Sequence, residues 1–244
     1  MRAFGERGYV VVPNVVPCHL LDEVEGALDT LVTREPPPVD RRGHHFYWLN
    51  DPAPSDPLLR LFTASPALAT AEAMVEPLRI KPPRQVQVSL NIPPRERRPG
   101  GPHLDGLTPP EPSGRPGTFT LLAGVFLTDQ LSEDMGNLWV WPGTHHTFAA
   151  HLRTHGPDAL LDMAHPDFGL PEPEQVCGQA GDLLLAHYLL GHNMGGNLSS
   201  TVRRVAYARL RTEGHEERWR DAVQDAFLEF APVRARYQGS AAPL

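Results

Sequence analysis

Gln85-Val86-Gln87-Val88-Ser89-Leu90-Asn91-Ile92 alternates polar and apolar residues without a slip. Successive side chains of a strand point to opposite faces, so the stretch predicts a half-buried β-strand. Strands of similar length are predicted at Tyr9 to Val12, Thr118 to Leu127, Leu138 to Trp141, Gly181 to His187 and Arg203 to Arg211, divided by Gly/Pro turns. Such a series indicates a sandwich or barrel. Helices gather at the two ends. Leu21, Val24, Leu28, Leu31 and Val32 recur at helical spacing, and Ser65-Pro66 opens a helix to about Val75 with Ser as N-cap and Pro at the first position. Trp219, Val223, Phe227 and Phe230 form an apolar stripe from Glu216 to about Phe230, read as a helix packed on the sheet. The fold class expected is mainly β with helices, α+β.

Composition narrows the function classes. With 244 residues, 41% hydrophobic and 21% charged, the chain fits one large domain with a sizeable core. A net charge of -7 argues against a nucleic-acid partner, and the clusters Arg95-Glu96-Arg97-Arg98 and Arg203-Arg204 are too small to reverse it. Only Cys18 and Cys177 are present, so no disulfide framework is implied. No apolar stretch approaches the length of a membrane span, and Met1-Arg2-Ala3-Phe4-Gly5-Glu6 lacks the apolar core of a signal peptide. The expectation is a cytoplasmic protein without a membrane partner; the number of subunits is not legible.

The chemistry gathers at His103-Leu104-Asp105. In an extended segment, residues two apart point the same way, so the imidazole and the carboxylate can grip one ion with Leu104 turned aside. A triplet of this kind arises by chance among 12 histidines, but its context is specific. It lies in the glycine-bounded turn Gly100 to Gly106, after the alternating strand, and His192 lies just past the apolar run Gly181 to His187. Both are strand ends, where a rigid scaffold presents functional residues. Two imidazoles and one carboxylate are the donor set of non-heme Fe(II) oxygenases, with open positions for other ligands. His187 is expected to be structural, and Trp139 and Trp141 to be packing. Phe46-Tyr47-Trp48 either lines an apolar pocket or belongs to the core. Leu107-Thr108-Pro109-Pro110-Glu111-Pro112, directly after Asp105, is either a lid or a stiff surface loop. The connection from Thr147 to Val176, with His151, His155 and His165, reads as a solvated helical insertion.

Several motifs in order resemble the phytanoyl-CoA dioxygenase family of Fe(II)/2-oxoglutarate-dependent oxygenases, over nearly the whole chain. They are the opening Phe4-Gly5-Glu6-Arg7-Gly8-Tyr9-Val10-Val11-Val12; the triplet His103-Leu104-Asp105; Leu127-Thr128-Asp129 with Gly136-Asn137-Leu138-Trp139-Val140-Trp141-Pro142-Gly143-Thr144-His145; and Gly181-Asp182-Leu183-Leu184, His192 and Arg203. The resemblance implies a double-stranded β-helix, the jelly-roll (cupin-like) barrel, with helices packed on one sheet. It divides a single domain of residues 1–244 into an N-terminal strand and helical part (1–80), a jelly-roll core (81–212) and a C-terminal helix and tail (213–244).

By the same resemblance His103, Asp105 and His192 hold Fe(II), and Arg203 pairs with the distal carboxylate of 2-oxoglutarate, with dioxygen as the other co-substrate. Arg204, on the opposite strand face, is the weaker candidate. Where the family often has Gly-Ser after the distal histidine, this chain has Asn193-Met194. Gln87, Ser89 and Asn91 supply the missing hydrogen bonds if their face lines the barrel, or face water if it does not; Thr120 is a further candidate on another strand. The implied reaction is hydroxylation or a related oxidation of a small molecule, possible in specialised metabolism, with release of succinate and CO2. Retention of Asp105 argues against halogenation, because related halogenases have a small residue there. Two other classes use the same residues: a non-catalytic jelly-roll binding protein, and a zinc hydrolase.

Overall fold

Antiparallel pairing organises the chain, seen in a computed structural model that describes residues 1–38, 43–107, 114–162 and 169–238. The elements run α1 (Arg2–Arg7), β1 (Tyr9–Val12), α2 (Cys18–Arg34), β2 (Gly43–Asn50), α3 (Pro57–Thr63), α4 (Ala67–Glu72), β3 (Gln85–Ile92), β4 (Leu121–Phe126), β5 (Leu138–Val140) and α5 (Thr144–His155). A 3-10 turn (Pro157–Asp162), β6 (Glu174–Gln175), β7 (Leu183–His187), β8 (His192–Met194), β9 (Arg203–Leu210), α6 (His215–Ala222) and α7 (Ala231–Gln238) follow. Six strands form a large sheet in the order β1-β7-β4-β9-β3-β2, and three form a small sheet, β6-β5-β8. The two sheets make the jelly roll that the strand pattern and the resemblance imply.

Period-two alternation sorts the large sheet into two faces. Val86, Val88, Ala206, Ala208 and Leu210 point outward and pack with Leu20, Val24 and Leu28 of α2 and with Leu61 and Phe62 of α3. Leu122, Phe126, Leu184 and Val205 point inward and pack with Leu138, Val140 and Met194 of the small sheet. Each such valine, leucine, phenylalanine or methionine contributes about 1.5–3 kcal/mol by leaving water, so register is strongly specified on both faces. The strand β3 departs from the half-buried expectation. Its apolar face meets the helices, and its polar face is buried too, with Gln87 8%, Ser89 1% and Asn91 0% exposed. Polar groups buried in a barrel need partners, and theirs are described below.

Other departures have local causes. The helix α3, which apolar periodicity did not reveal, starts where Asp56 accepts from Leu58 N (2.9 Å) with Pro57 at its first position. Ser65 Oγ accepts from Ala67 N (3.1 Å), but the helix it opens stops at Glu72. The C-terminal stripe is not one helix: α6 ends at Ala222, and a turn in which Asp225 Oδ1 accepts from Phe227 N (3.0 Å) carries the chain to α7. All four stripe residues are nevertheless buried. The connection after Thr147 is not solvated throughout, because α5 buries Phe148, Ala149 and Leu152 in the inter-sheet core. The segment Thr108 to Pro112 and His165 lie outside the described residues. Among the described residues no helix is long and apolar enough to cross a membrane.

Behind the barrel, the carboxylate of Glu229 is buried and accepts from Thr120 (2.8 Å), Thr212 (2.5 Å), His215 Nδ1 (2.9 Å) and Arg218 Nε (2.8 Å). This joins the start of β4 and the end of β9 to the C-terminal helices. Burial alone would raise its pKa, but the hydrogen bonds from His215, Thr212 and Thr120 prevail and bring it down to about 2 from 4.5. A folded pKa below the unfolded one gives stability that is present above about 4.5 and lost as pH falls toward about 2. Glu229→Gln is expected to cost about 3 kcal/mol at pH 7. Denaturant unfolding at stepwise lower pH should show wild type and variant converging between those two values; a gap independent of pH contradicts the assignment.

Candidate metal centre

Two loops and one short strand bring the triplet and the distal histidine together. His103 and His192 form an antiparallel bridge, His103 N donating to His192 O (2.9 Å) and His192 N to His103 O (3.1 Å). Directly opposed residues present their side chains side by side, and the two rings lie 4.6 Å apart. Leu104 turns away into the inter-sheet core, which leaves Asp105 beside His103. The chain then bends at Gly106, whose φ of 77° and whose position, with any Cβ only 2.2 Å from Gly117 O, admit no side chain. The entry to β8 is tied down by Thr144, whose hydroxyl donates to Trp141 O (2.7 Å) and accepts from Gly191 N (2.9 Å).

Asp105 Oδ1 lies 3.7 Å from His103 Nε2 and 3.7 Å from His192 Nε2. One ligand atom from each residue falls within 4.8 Å of the others, a group of a size to hold one ion. His192 Nδ1 faces Leu190 O at 3.0 Å; donating there leaves the Nε2 lone pair for a metal. The donor set and the spacing fit Fe(II). Burial would raise the Asp105 pKa, yet the two histidines and the Arg209 guanidinium hold it well below the usual carboxylate range. Burial would lower that of His192, but Asp105 outweighs it and the net direction is upward from 6.5.

The cluster opens on a cavity of about 700 Å³, within the range of small-molecule sites. Behind Ser89 and Tyr207, which line it, Arg203 is 2% exposed. Its Nη1 donates to Ser89 Oγ (3.0 Å), Nη2 to Tyr207 Oη (2.6 Å) and Nε to Gln130 Oε1 (3.3 Å). All three acceptors are neutral, and among the described residues no carboxylate pairs with it. A buried cation without a counter-charge is costly, so this position calls for an anion. Gly136 lets the chain pass close by, since a Cβ there would lie 2.9 Å from Arg203 Cβ.

Gln87 lines the cavity, and its Oε1 accepts from Arg209 Nη1 (3.1 Å). Of its neighbours on β3, Ser89 reaches Arg203, whereas Asn91 Nδ2 donates to Gly195 O (3.0 Å). Thr120 is not brought to this cavity: its hydroxyl belongs to the Glu229 cluster, because β4 starts only at Leu121 and the preceding residue turns toward the C-terminal helices. Arg204 points outward, 3.8 Å from Asp29 of α2. Asn193 lines the cavity, and its Nδ2 donates to Gly101 O (2.6 Å). His187 is structural, accepting from Leu189 N (2.9 Å) and facing Ala226 O (2.8 Å). Phe46 and Trp48 of β2 face the cavity, while Tyr47 is buried on the other face. Tyr207 and Arg209 also line the site and were missed; the period-two signal on β9 that places Arg203 inward places them inward as well.

A family model described as phytanoyl-CoA dioxygenase (PhyH) matches residues 4–205. No curated protein matches the chain. Among solved structures, the non-heme alpha ketoglutarate dependent epimerase SnoN from nogalamycin biosynthesis superposes with a TM-score of 0.58 at 24% identity, over 86% of this chain and 78% of its own. HygX from Streptomyces hygroscopicus, solved with nickel and 2-oxoglutarate bound, gives 0.53 at 19% identity, over 84% and 82%. The carbocyclase SnoK, also from nogalamycin biosynthesis, gives 0.52 at 19%, over 86% and 81%.

The pKa directions predict how metal binding responds to acid. Asp105 stays ionised, so the protons that compete with the ion are those on the imidazoles, and His192 holds its proton more tightly than a free imidazole does. Affinity for a divalent metal, measured by anaerobic titration across pH, should fall as pH drops through a value above 6.5. Affinity that is flat down to pH 5 would contradict His192 as a ligand.

Proposed function

The chain belongs to the phytanoyl-CoA dioxygenase family, and from that premise we propose that it is an Fe(II)- and 2-oxoglutarate-dependent dioxygenase that hydroxylates a small molecule. The observation that carries the proposal is the buried Arg203, which among the described residues has only neutral partners, two of which, Ser89 and Tyr207, line the same cavity as the His103, Asp105 and His192 cluster. In this reading the three side chains hold iron through His103 Nε2, Asp105 Oδ1 and His192 Nε2. When bound, iron with the keto acid and dioxygen supplies the oxidising power, with release of succinate and CO2.

The protein's own share is binding and orientation. Arg203 presents a planar, permanently charged fork that matches the distal carboxylate of 2-oxoglutarate, and Ser89 and Tyr207 keep that fork aimed. Met194, beside Leu138 on the small sheet, adds an apolar wall to the cavity where relatives often carry a serine, and Ser89, Tyr207 and Gln130 are the polar partners of the arginine. Phe46 and Trp48, 39% and 47% exposed, face the cavity and offer the substrate flat apolar surfaces. HygX has been solved with nickel, 2-oxoglutarate and hygromycin B bound, and SnoN in complex with Fe3+, alpha ketoglutarate and nogalamycin RO. By analogy, a small-molecule substrate of specialised metabolism is the reading for the cavity of about 700 Å³ here.

Anaerobic titration of apo-protein with Fe(II) and 2-oxoglutarate tests the proposal through the visible charge-transfer band of a metal-chelated keto acid. The wild type is expected to develop the band and Asp105→Ala to lack it. Arg203→Met should weaken keto-acid binding by about 3 kcal/mol, roughly 100-fold, because a buried charge pair loses one partner. An iron-loaded, folded wild type without the band would sink the dioxygenase reading.

A further inference from the structure

Asp105 uses its two oxygens differently. Oδ1 lies 3.7 Å from both histidine Nε2 atoms, while Oδ2 accepts from Arg209 Nη2 (2.6 Å) and Nε (3.1 Å). The third donor group of Arg209, Nη1, donates to Gln87 Oε1 (3.1 Å). Trp48 lies against the guanidinium at 5.1 Å and Phe119 at 5.9 Å. Protein acceptors therefore occupy both edges of the fork and aromatic rings flank it. The side chain is aimed at Asp105, not held out for a substrate.

We propose that Arg209 is the positioning residue of the metal centre, taking Asp105 Oδ2 so that Oδ1 alone is left for the ion. The proposal rests on the metal-site reading above. A carboxylate turns easily about its last torsion, and without a partner either oxygen, or both, can meet a cation. A guanidinium with two donors on one oxygen removes that freedom, Gln87 fixes the guanidinium in turn, and the stacked Trp48 limits its swing. Partners of this kind orient metal ligands, and losing one weakens metal binding by roughly 10–100-fold.

Charge alone predicts the opposite sign. A cation beside a divalent ion repels it, so removing the arginine charge without any orienting role would leave affinity unchanged or tighter. Cobalt(II) titration of the full-length apo-protein, followed by the visible absorption of the bound ion, separates the two. Arg209→Gln and Arg209→Lys should both bind cobalt roughly 10–100-fold more weakly than wild type, the lysine keeping the charge and losing the fork. Gln87→Leu, which keeps Arg209 and frees its far edge, should lose a smaller factor. Folding is checked by circular dichroism of each apo-protein, and if both Arg209 variants fail to fold, Gln87→Leu decides alone. Affinity unchanged or tighter in the folded variants overturns the proposal while leaving the metal site standing. Wild-type protein that binds no cobalt, or binds it as well after His103→Ala, overturns the metal site and this proposal with it.

Discussion

Two backbone hydrogen bonds between His103 and His192 hold the rest of the site in place. They join the loop that follows β3 to the first residue of β8, and so connect a segment from the large-sheet side of the chain to the small sheet. Because the paired residues are themselves the two imidazole ligands, the register of one bridge sets the spacing of the donor atoms. A slip of one residue would turn a ring to the opposite face and leave no cluster. The surroundings protect that register. Thr144 anchors Gly191, Leu104 is buried between the ligands of the triplet, and Gly106 turns the chain directly after Asp105.

The inner face of the large sheet is mostly polar on β3 and β9 and apolar on the neighbouring β4 and β7, and this division sets where the candidate site lies. On β3 and β9 the inward face carries Gln87, Ser89, Asn91, Arg203, Tyr207 and Arg209, whereas on β4 and β7 it carries Leu122, Phe126 and Leu184. Asp105 pairs with the partly buried Arg209, and among the described residues the buried Arg203 has no counter-charge. A protein tolerates that arrangement where a ligand brings the missing negative charge. The aromatic edge of β2 closes the same cavity from the side, next to the polar strand with which it pairs, Trp48 opposite Gln87 and Phe46 opposite Ser89.

The core behind the sheet answers to a simpler requirement. Its apolar face is covered by α2, α3 and α4, and its far end by the helices that Glu229 ties to β4 and β9. Histidines take part in this scaffold without touching the metal. His145 and His146 both face Gly5 O of α1, at 3.2 and 2.8 Å, and His187 sits among Phe4, Phe230 and His145. The Pro142-Gly143-Thr144-His145 motif thus has a mechanical role: its threonine steadies the approach to His192 and its histidine holds the N-terminal helix.

Local sequence determined β1, β3, β4, β5, β7 and β9, with alternation at β3 and β9 and apolar runs at β4 and β7, whereas β2, β6 and β8 carry no such pattern and were decided by pairing with their neighbours. It also determined the candidate ligands, because His103, Asp105 and His192 occur at strand ends in motifs with an order. The partners of those residues were decided by the tertiary structure. Whether Gln87 and Ser89 meet water or the barrel depends on which neighbour covers each face, and that information lies in β9 and the helices, not in β3. Thr120 has the same type and strand context as a pocket residue, yet it serves Glu229 from more than a hundred positions away. Arg209 carries no mark of its own in the sequence. It becomes a partner of Asp105 only when antiparallel pairing sets β9 beside β3, because hydrogen-bond registry across a sheet joins residues that the chain keeps far apart.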